Sequence, residues 1–222
     1  MNRRLTLGLA VVALVIAGAA QAQTPPGRQT PPRRDPWTVR GFGDIGLTRF
    51  SAEKSFMAIL GTSSGRLFGG GVEVDLGSGV FVAARASRFR QDGHRVFVFQ
   101  DKVFNLAVPA TVTVTPVQID AGYRFSRQFG VVPYAGGGIG WHRYQETSNF
   151  ASADENVATT ARGYHLLGGA EARVTRLVSA AVEGQWATVP KALGADSGSV
   201  SAAFDEHDLG GSTVRVKVIV GF

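Results

Sequence analysis

Gly211-Ser-Thr-Val-Arg-Val-Lys-Val-Ile-Val-Gly-Phe222 reads as a strand with two unlike faces. In an extended chain successive side chains point to opposite sides. Val214, Val216, Val218, Val220 and Phe222 therefore share one face, and Thr213, Arg215, Lys217 and Ile219 share the other. One apolar and one charged face suit a barrel wall that separates two unlike media.

The opposite end of the chain agrees. Arg3 and Arg4 form a basic start, Leu5 to Ala20 is apolar and uncharged, and Ala20-Gln21-Ala22 has the small-x-small form of a signal-peptidase site. Residues 1–22 are expected to be a secretory signal. The apolar run is short for a membrane anchor, which needs about 20 apolar residues. Residues 23–36 hold Pro25, Pro26, Pro31, Pro32 and Pro36 and predict an extended periplasmic leader. The remaining segment, 37–222, has the length of one β domain. There is no Cys, hence no disulfide and no lipid-attachment cysteine.

The formal net charge is +6 and the pI about 10.2. Without Arg3 and Arg4 there are 21 basic residues against 17 acidic ones. These charges stand singly among apolar residues rather than in basic runs, so nucleic acid is not an expected partner. With 29 glycines the composition disfavours helix.

Alternation recurs eight times, over 37–50, 66–76, 80–90, 111–125, 131–144, 162–174, 179–188 and 211–222. Each segment can cross a bilayer as a tilted strand of about 9–11 residues. Short connections at 77–79, 126–130 and 175–178 alternate with long ones at 51–65, 91–110, 145–161 and 189–210. Tight periplasmic turns, longer outer loops and an even strand count form the rule for membrane barrels. The fold class expected is all-β: an eight-stranded antiparallel up-and-down transmembrane β-barrel.

Aromatic placement decides which face is outward. With strand 1 rising from the periplasm, Phe81, Tyr123, Phe125 and Phe222 fall at the inner rim. Phe50, Phe68, Trp141, Tyr164 and Trp186 fall at the outer rim. Two belts are what membrane interfaces favour. The other face then holds a lumen network of Arg40, Asp44, Glu73, Asp75, Arg85, Asp120, Arg124, Glu171, Arg173, Glu183, Gln185, Arg215 and Lys217. Charges in so narrow an interior must be paired. Glycines at 69–71 and at 136–138 and 140 leave room for long side chains from facing strands.

The terminal Phe222 strand, Pro133-Tyr-Ala-Gly-Gly-Gly-Ile-Gly140 and Asp120-Ala-Gly-Tyr-Arg-Phe125 together resemble the small OmpA/OmpX-like outer-membrane β-barrel family. The resemblance covers about 37–222. It implies residence in the cell outer membrane, among its lipid and lipopolysaccharide. It also implies insertion by the outer-membrane assembly machinery, with Val218, Val220 and Phe222 as the assembly signal. A monomer without cofactor or metal is expected.

Motifs of chemistry are sparse. Gly41-Phe-Gly-Asp-Ile-Gly46 matches a dinucleotide fingerprint in letters but lies within a strand with no helix after it. His142 and His165 fall near each other at the outer ends of strands 5 and 6, with Glu146 close by, but lack a serine at deacylase spacing. Asp205-Glu-His-Asp208 lacks the spacing of a calcium loop. The apolar stretch Arg95-Val-Phe-Val-Phe-Gln-Asp-Lys-Val-Phe-Asn-Leu-Ala-Val108 is read either as a hairpin turning near 100–102, a site for a surface partner, or as a plug across the mouth. The functional expectation is a structural or surface-interaction protein without catalysis. A narrow porin-like channel is the alternative, and a lipid A-modifying enzyme a more remote one.

Overall fold

The C-terminal alternation forms strand β8 (Leu209–Gly221), hydrogen-bonded to β7 (Val178–Val189) on one side and to β1 (Thr38–Phe50) on the other. That second pairing closes the sheet. The computed structural model describes residues 37–99, 102–148, 156–193 and 199–221. The signal at 1–22, the leader at 23–36 and the assembly residue Phe222 lie outside the described residues.

Between β1 and β7 the chain runs through β2 (Ser64–Asp75), β3 (Val80–Phe99), β4 (Lys102–Arg124), β5 (Val131–Thr147) and β6 (Val157–Arg173). Every neighbouring pair is antiparallel, and the eight strands form one closed barrel in chain order. Closure leaves no edge along the paired wall. No helix among the described residues is long and apolar enough to cross a membrane.

The inner-end connections are short because their backbone turns sharply. At β2–β3, Gly77 and Gly79 adopt φ 80° and 89°, conformations that favour glycine. Val80 N–H then donates to Gly77 O at 3.0 Å. At β6–β7, Thr175 Oγ1 accepts from Leu177 N–H and Val178 N–H at 3.2 and 3.0 Å.

The outer connections depart from simple loops in two ways. The span 91–110 is mostly strand. β3 and β4 run 20 and 23 residues, far past their neighbours, and stay paired out to Phe99 and Lys102. They form the hairpin arm rather than the plug, and most of its described residues are exposed. The register shifts between His94 and Val96. Such a bulge breaks the two-residue period that the sequence reading relied on. The second difference is α1 (Glu53–Leu60) in the first loop, with a short α2 (Val200–Ala203) in the last.

Alternation sorts the wall as predicted for β8: Val214, Val216, Val218 and Val220 are exposed, and Arg215, Lys217 and Ile219 are buried. The same outward band holds Ile45, Leu47, Val72, Val117, Ile119 and Leu166, each 46% exposed or more. Over the inner half of the wall the apolar side chains thus form the outer surface and the charged ones line the interior, the reverse of a soluble barrel.

Candidate functional site

The inner half of the lumen is built around a ring of four charges from four strands. Arg40 (β1) donates to Glu73 (β2) at 2.6 Å and to Glu171 (β6) at 2.7 Å. Arg124 (β4) donates to the same Glu73 at 2.5 Å and to Glu171 at 3.4 Å. Each carboxylate lies between two guanidiniums, so the ring is neutral. The Arg124 guanidinium also lies over the Phe81 ring, 4.5 Å from its centroid.

Above it, Glu183 (β7) is a hub. Its carboxylate accepts from Arg85 at 2.7 Å, from the Tyr134 hydroxyl at 3.0 Å and from Lys217 at 3.2 Å. Arg85 Nη2 is 3.8 Å from Asp120. Asp120 in turn meets His165 Nε2 at 2.5 Å, and Gln118 reaches His165 Nδ1 at 3.4 Å. Arg215 donates to Gln185 at 2.5 Å. Asp44, buried beside its register partner Lys217, has no hydrogen-bond partner among the described residues.

Of the predicted lumen residues, Arg40, Arg85, Arg124, Arg215 and Lys217 face Asp44, Glu73, Asp120, Glu171 and Glu183 inside the barrel. Five cations balance five anions, which lowers the electrostatic cost of burying them. Arg173 stands apart, exposed at the inner end beside the opening. Asp75 is at the same edge, 3.7 Å from Arg124.

Two glycines show how the network fits. A Cβ on Gly71 would lie 2.8 Å from the Phe42 ring, and one on Gly138 would lie 2.9 Å from His165 Nε2. The glycine runs thus make space inside the lumen.

The outer half is different, and the sequence reading missed it. There the interior is apolar. Phe50, Phe56, Leu67, Phe89, Val112, Val114 and Leu209 form one cluster with Leu193 and Val189. Phe50 stacks on Phe56 of α1 at 4.2 Å and meets Phe89 edge-on at 4.9 Å. Phe50 was expected in the outer aromatic belt, but it is 7% exposed and points inward. The first loop turns in at Phe50, and α1 presents Phe56, Ile59 and Leu60 to the mouth. Phe81, which shares its face with Arg85, is 2% exposed and sits under Arg124. The remaining predicted interface aromatics, Phe68, Tyr123, Phe125, Trp141, Tyr164 and Trp186, are outward and 39–59% exposed.

The acidic patch of the last loop serves this cap. Glu206 accepts from Lys54 N–H at 3.0 Å and Ser55 N–H at 2.8 Å, satisfying free donors at the start of α1. Asp208 accepts from Lys191 N–H at 2.9 Å.

The two larger open spaces among the described residues lie at the two ends. A vestibule of about 840 Å³ at the inner end stops at Arg40, Arg124 and Glu171. A pocket of about 350 Å³ lies at the outer mouth beside α1. Between the apolar cluster and Arg215 there is only about 50 Å³, room for a water or two. His142 and His165 are both buried. Among the described residues no serine hydroxyl is hydrogen-bonded to either ring, and no group of three His, Asp or Glu is arranged to hold a metal.

The comparisons agree with this architecture. Neisserial surface protein A (NspA) superposes with a TM-score of 0.51 at 14% identity, covering 85% of this chain and 98% of its own. Ail, the attachment invasion locus protein of Yersinia pestis, solved with the heparin analogue sucrose octasulfate, gives 0.50 at 14% identity, covering 84% and 98%. At such identity the likeness is one of fold. A search of curated proteins finds no match to this sequence. The model of the outer membrane protein beta-barrel domain matches residues 8–216, nearly the whole chain. With its closed eight-strand wall, apolar outside and charged inside, the chain belongs to that outer-membrane β-barrel family.

Proposed function

We propose that this protein is a non-conducting, non-catalytic element of the outer membrane that presents the β3–β4 arm to partners at the cell surface. The observation that carries this reading is the filled lumen. Charged side chains meet across the inner half, and an apolar cluster capped by α1 occupies the outer half. The described residues between these halves leave a space of about 50 Å³, which weighs against the porin-like alternative. The lipid A-modifying alternative has no support in the surroundings of His142 and His165: both are buried, and His165 is held by Asp120 and Gln118.

On this reading the chain is exported through the signal at 1–22 and released after Ala22. It is then inserted by the assembly machinery, which reads Val218, Val220 and Phe222. A closed wall without free edges suits a monomer. The arm supports the surface role. Beyond Phe89 its β3 strand has no pairing to β2, and before Thr111 its β4 strand has none to β5. Phe97 and Phe104, register partners, are 46% and 48% exposed. Such a ribbon offers free hydrogen-bonding edges and aromatic surface.

Protease added to intact cells tests the reading. Cleavage within 91–110 is expected, with the barrel strands protected. Lipid A from cells with and without the protein should have the same mass. An arm inaccessible from outside, or an altered lipid A, would contradict the proposal.

A further inference from the structure

The tight turn between β4 and β5 carries a residue that its backbone disfavours. Phe129 and Gly130 have φ 48° and 85°, and Gln128 bridges to Val131 across them. Two successive positive φ angles are the conformation that Asn, Asp and Gly adopt most readily. A phenylalanine gains nothing there from the turn itself, and this one is 99% exposed. The other two inner turns also present apolar side chains to the outside. Leu76 stands in one, Val174 and Leu177 in the other, each at least half exposed.

Depth separates Phe129 from the bilayer. Phe125 belongs to the inner aromatic belt, and Phe129 is four residues farther along the chain. At about 3.3 Å per residue and a tilt of about 40°, that carries it about 10 Å deeper. The headgroup layer is about 5–7 Å thick, so the ring reaches past it.

Charge at this end is one-sided. Arg127 and Arg173 line the inner vestibule of about 840 Å³, and Arg176 stands on the β6–β7 turn. All three are exposed, with no ion-pair partner among the described residues. The three inner turns contain no carboxylate. Glu73 and Glu171 are taken up by Arg40 and Arg124, and Asp75 accepts from Gly77 N–H at 3.2 Å. Val131 pairs with Ala172 in register, which sets the Phe129 turn beside Arg173.

These features select the occupant. A second copy of the chain would bring the same cations. The chain's own leader, residues 23–36, holds Arg28, Arg33 and Arg34 against Asp35 alone, so it too has the wrong sign. A suitable partner supplies carboxylates to the arginines and an apolar side chain to Phe129. Val174 and Leu177 add aliphatic surface, which suits apolar side chains better than the flat faces of sugars.

We propose that Phe129, Arg127 and Arg173 form a docking site for an acidic peptide segment, bearing apolar side chains, of a periplasmic protein. This rests on the outer-membrane reading of the barrel, which puts its inner end in the periplasm.

The test uses purified full-length protein in phosphatidylcholine nanodiscs and a fluorescent peptide of alternating Glu and Leu, followed by anisotropy. The wild type should bind this peptide and should not bind its Gln–Leu counterpart. R127Q/R173Q and F129A should each weaken binding by about tenfold while keeping the heat-modifiable folded form. R66Q/R162Q, which changes two exposed arginines at the outer end, should leave it unchanged. Equal binding of both peptides, or undiminished binding by R127Q/R173Q and F129A, would overturn the proposal. So would retention on peptidoglycan sacculi by protein that ignores the acidic peptide. Phe129→Cys separates the site from the membrane reading, because the chain has no other cysteine. A membrane-impermeant maleimide should label it only after the outer membrane is permeabilised. If labelling needs permeabilisation and the acidic peptide still does not bind, only the docking site fails. Labelling on intact cells would mean that the placement of the barrel itself has failed.

Discussion

Arg85 on β3 and Glu183 on β7 join at 2.7 Å although they stand 98 residues apart in the chain. In a ring of eight strands, β3 and β7 are on opposite walls. One ion pair therefore spans the lumen, and the other inner charges gather around it.

Removing one member of this pair should leave the other buried and unpaired. Arg85→Ala or Glu183→Gln is expected to destabilise the barrel by about 3–5 kcal/mol, measured by urea unfolding in lipid vesicles. Arg85→Ala combined with Glu183→Gln should cost clearly less than the sum of the two. Additivity would mean that the residues do not act together.

Val216 tests the direction of the wall. It is outward and half-exposed near the middle of β8. Val216→Arg should cost about 2–4 kcal/mol in a bilayer, and Ser212→Arg, on the same face at the outer rim, about 0–1 kcal/mol. Folding yield into vesicles reads the difference. Equal tolerance at both positions would mean that this face does not meet lipid.

The mouth cap should be a stability element. Phe56→Ala removes a ring that is 3% exposed and stacked on Phe50, at an expected cost of about 3–5 kcal/mol. Glu206→Ala removes the acceptor at the start of α1, at about 0.5–2 kcal/mol. Both should increase protease sensitivity of the first loop without unfolding the wall. An unchanged cleavage rate in both variants would contradict the packing described.

The wall was legible in the sequence because a two-residue period reports the face of each side chain. Val214 to Val220 and the inward set from Arg40 to Lys217 follow from it directly. The partners were not legible. Alternation places Arg85 and Glu183 inside but contains nothing about the relative heights of opposite strands, which closure decides. The apolar outer half does not follow from alternation, because residues 51–65 have no two-residue period and enter that reading only as a long connection. The signal was there: Phe56, Ile59 and Leu60 have helical spacing, and Gly61 follows as a left-handed cap with φ 71°. Phe50 was misplaced for the same reason, since its partners are on that helix. The arm was half legible. The pairing of its two strands follows from the alternation, while the bulge between His94 and Val96 disguises their length.

The central claim is that the lumen is closed, and planar-bilayer recording of the purified wild-type protein tests it most directly. Inserted protein should show no steady conductance, because the Arg85–Glu183 span, the Arg40–Glu73–Arg124–Glu171 ring and the Phe50 cluster leave no continuous aqueous path. Stable ohmic channels from the unmutated protein would contradict the account and support a porin-like function instead.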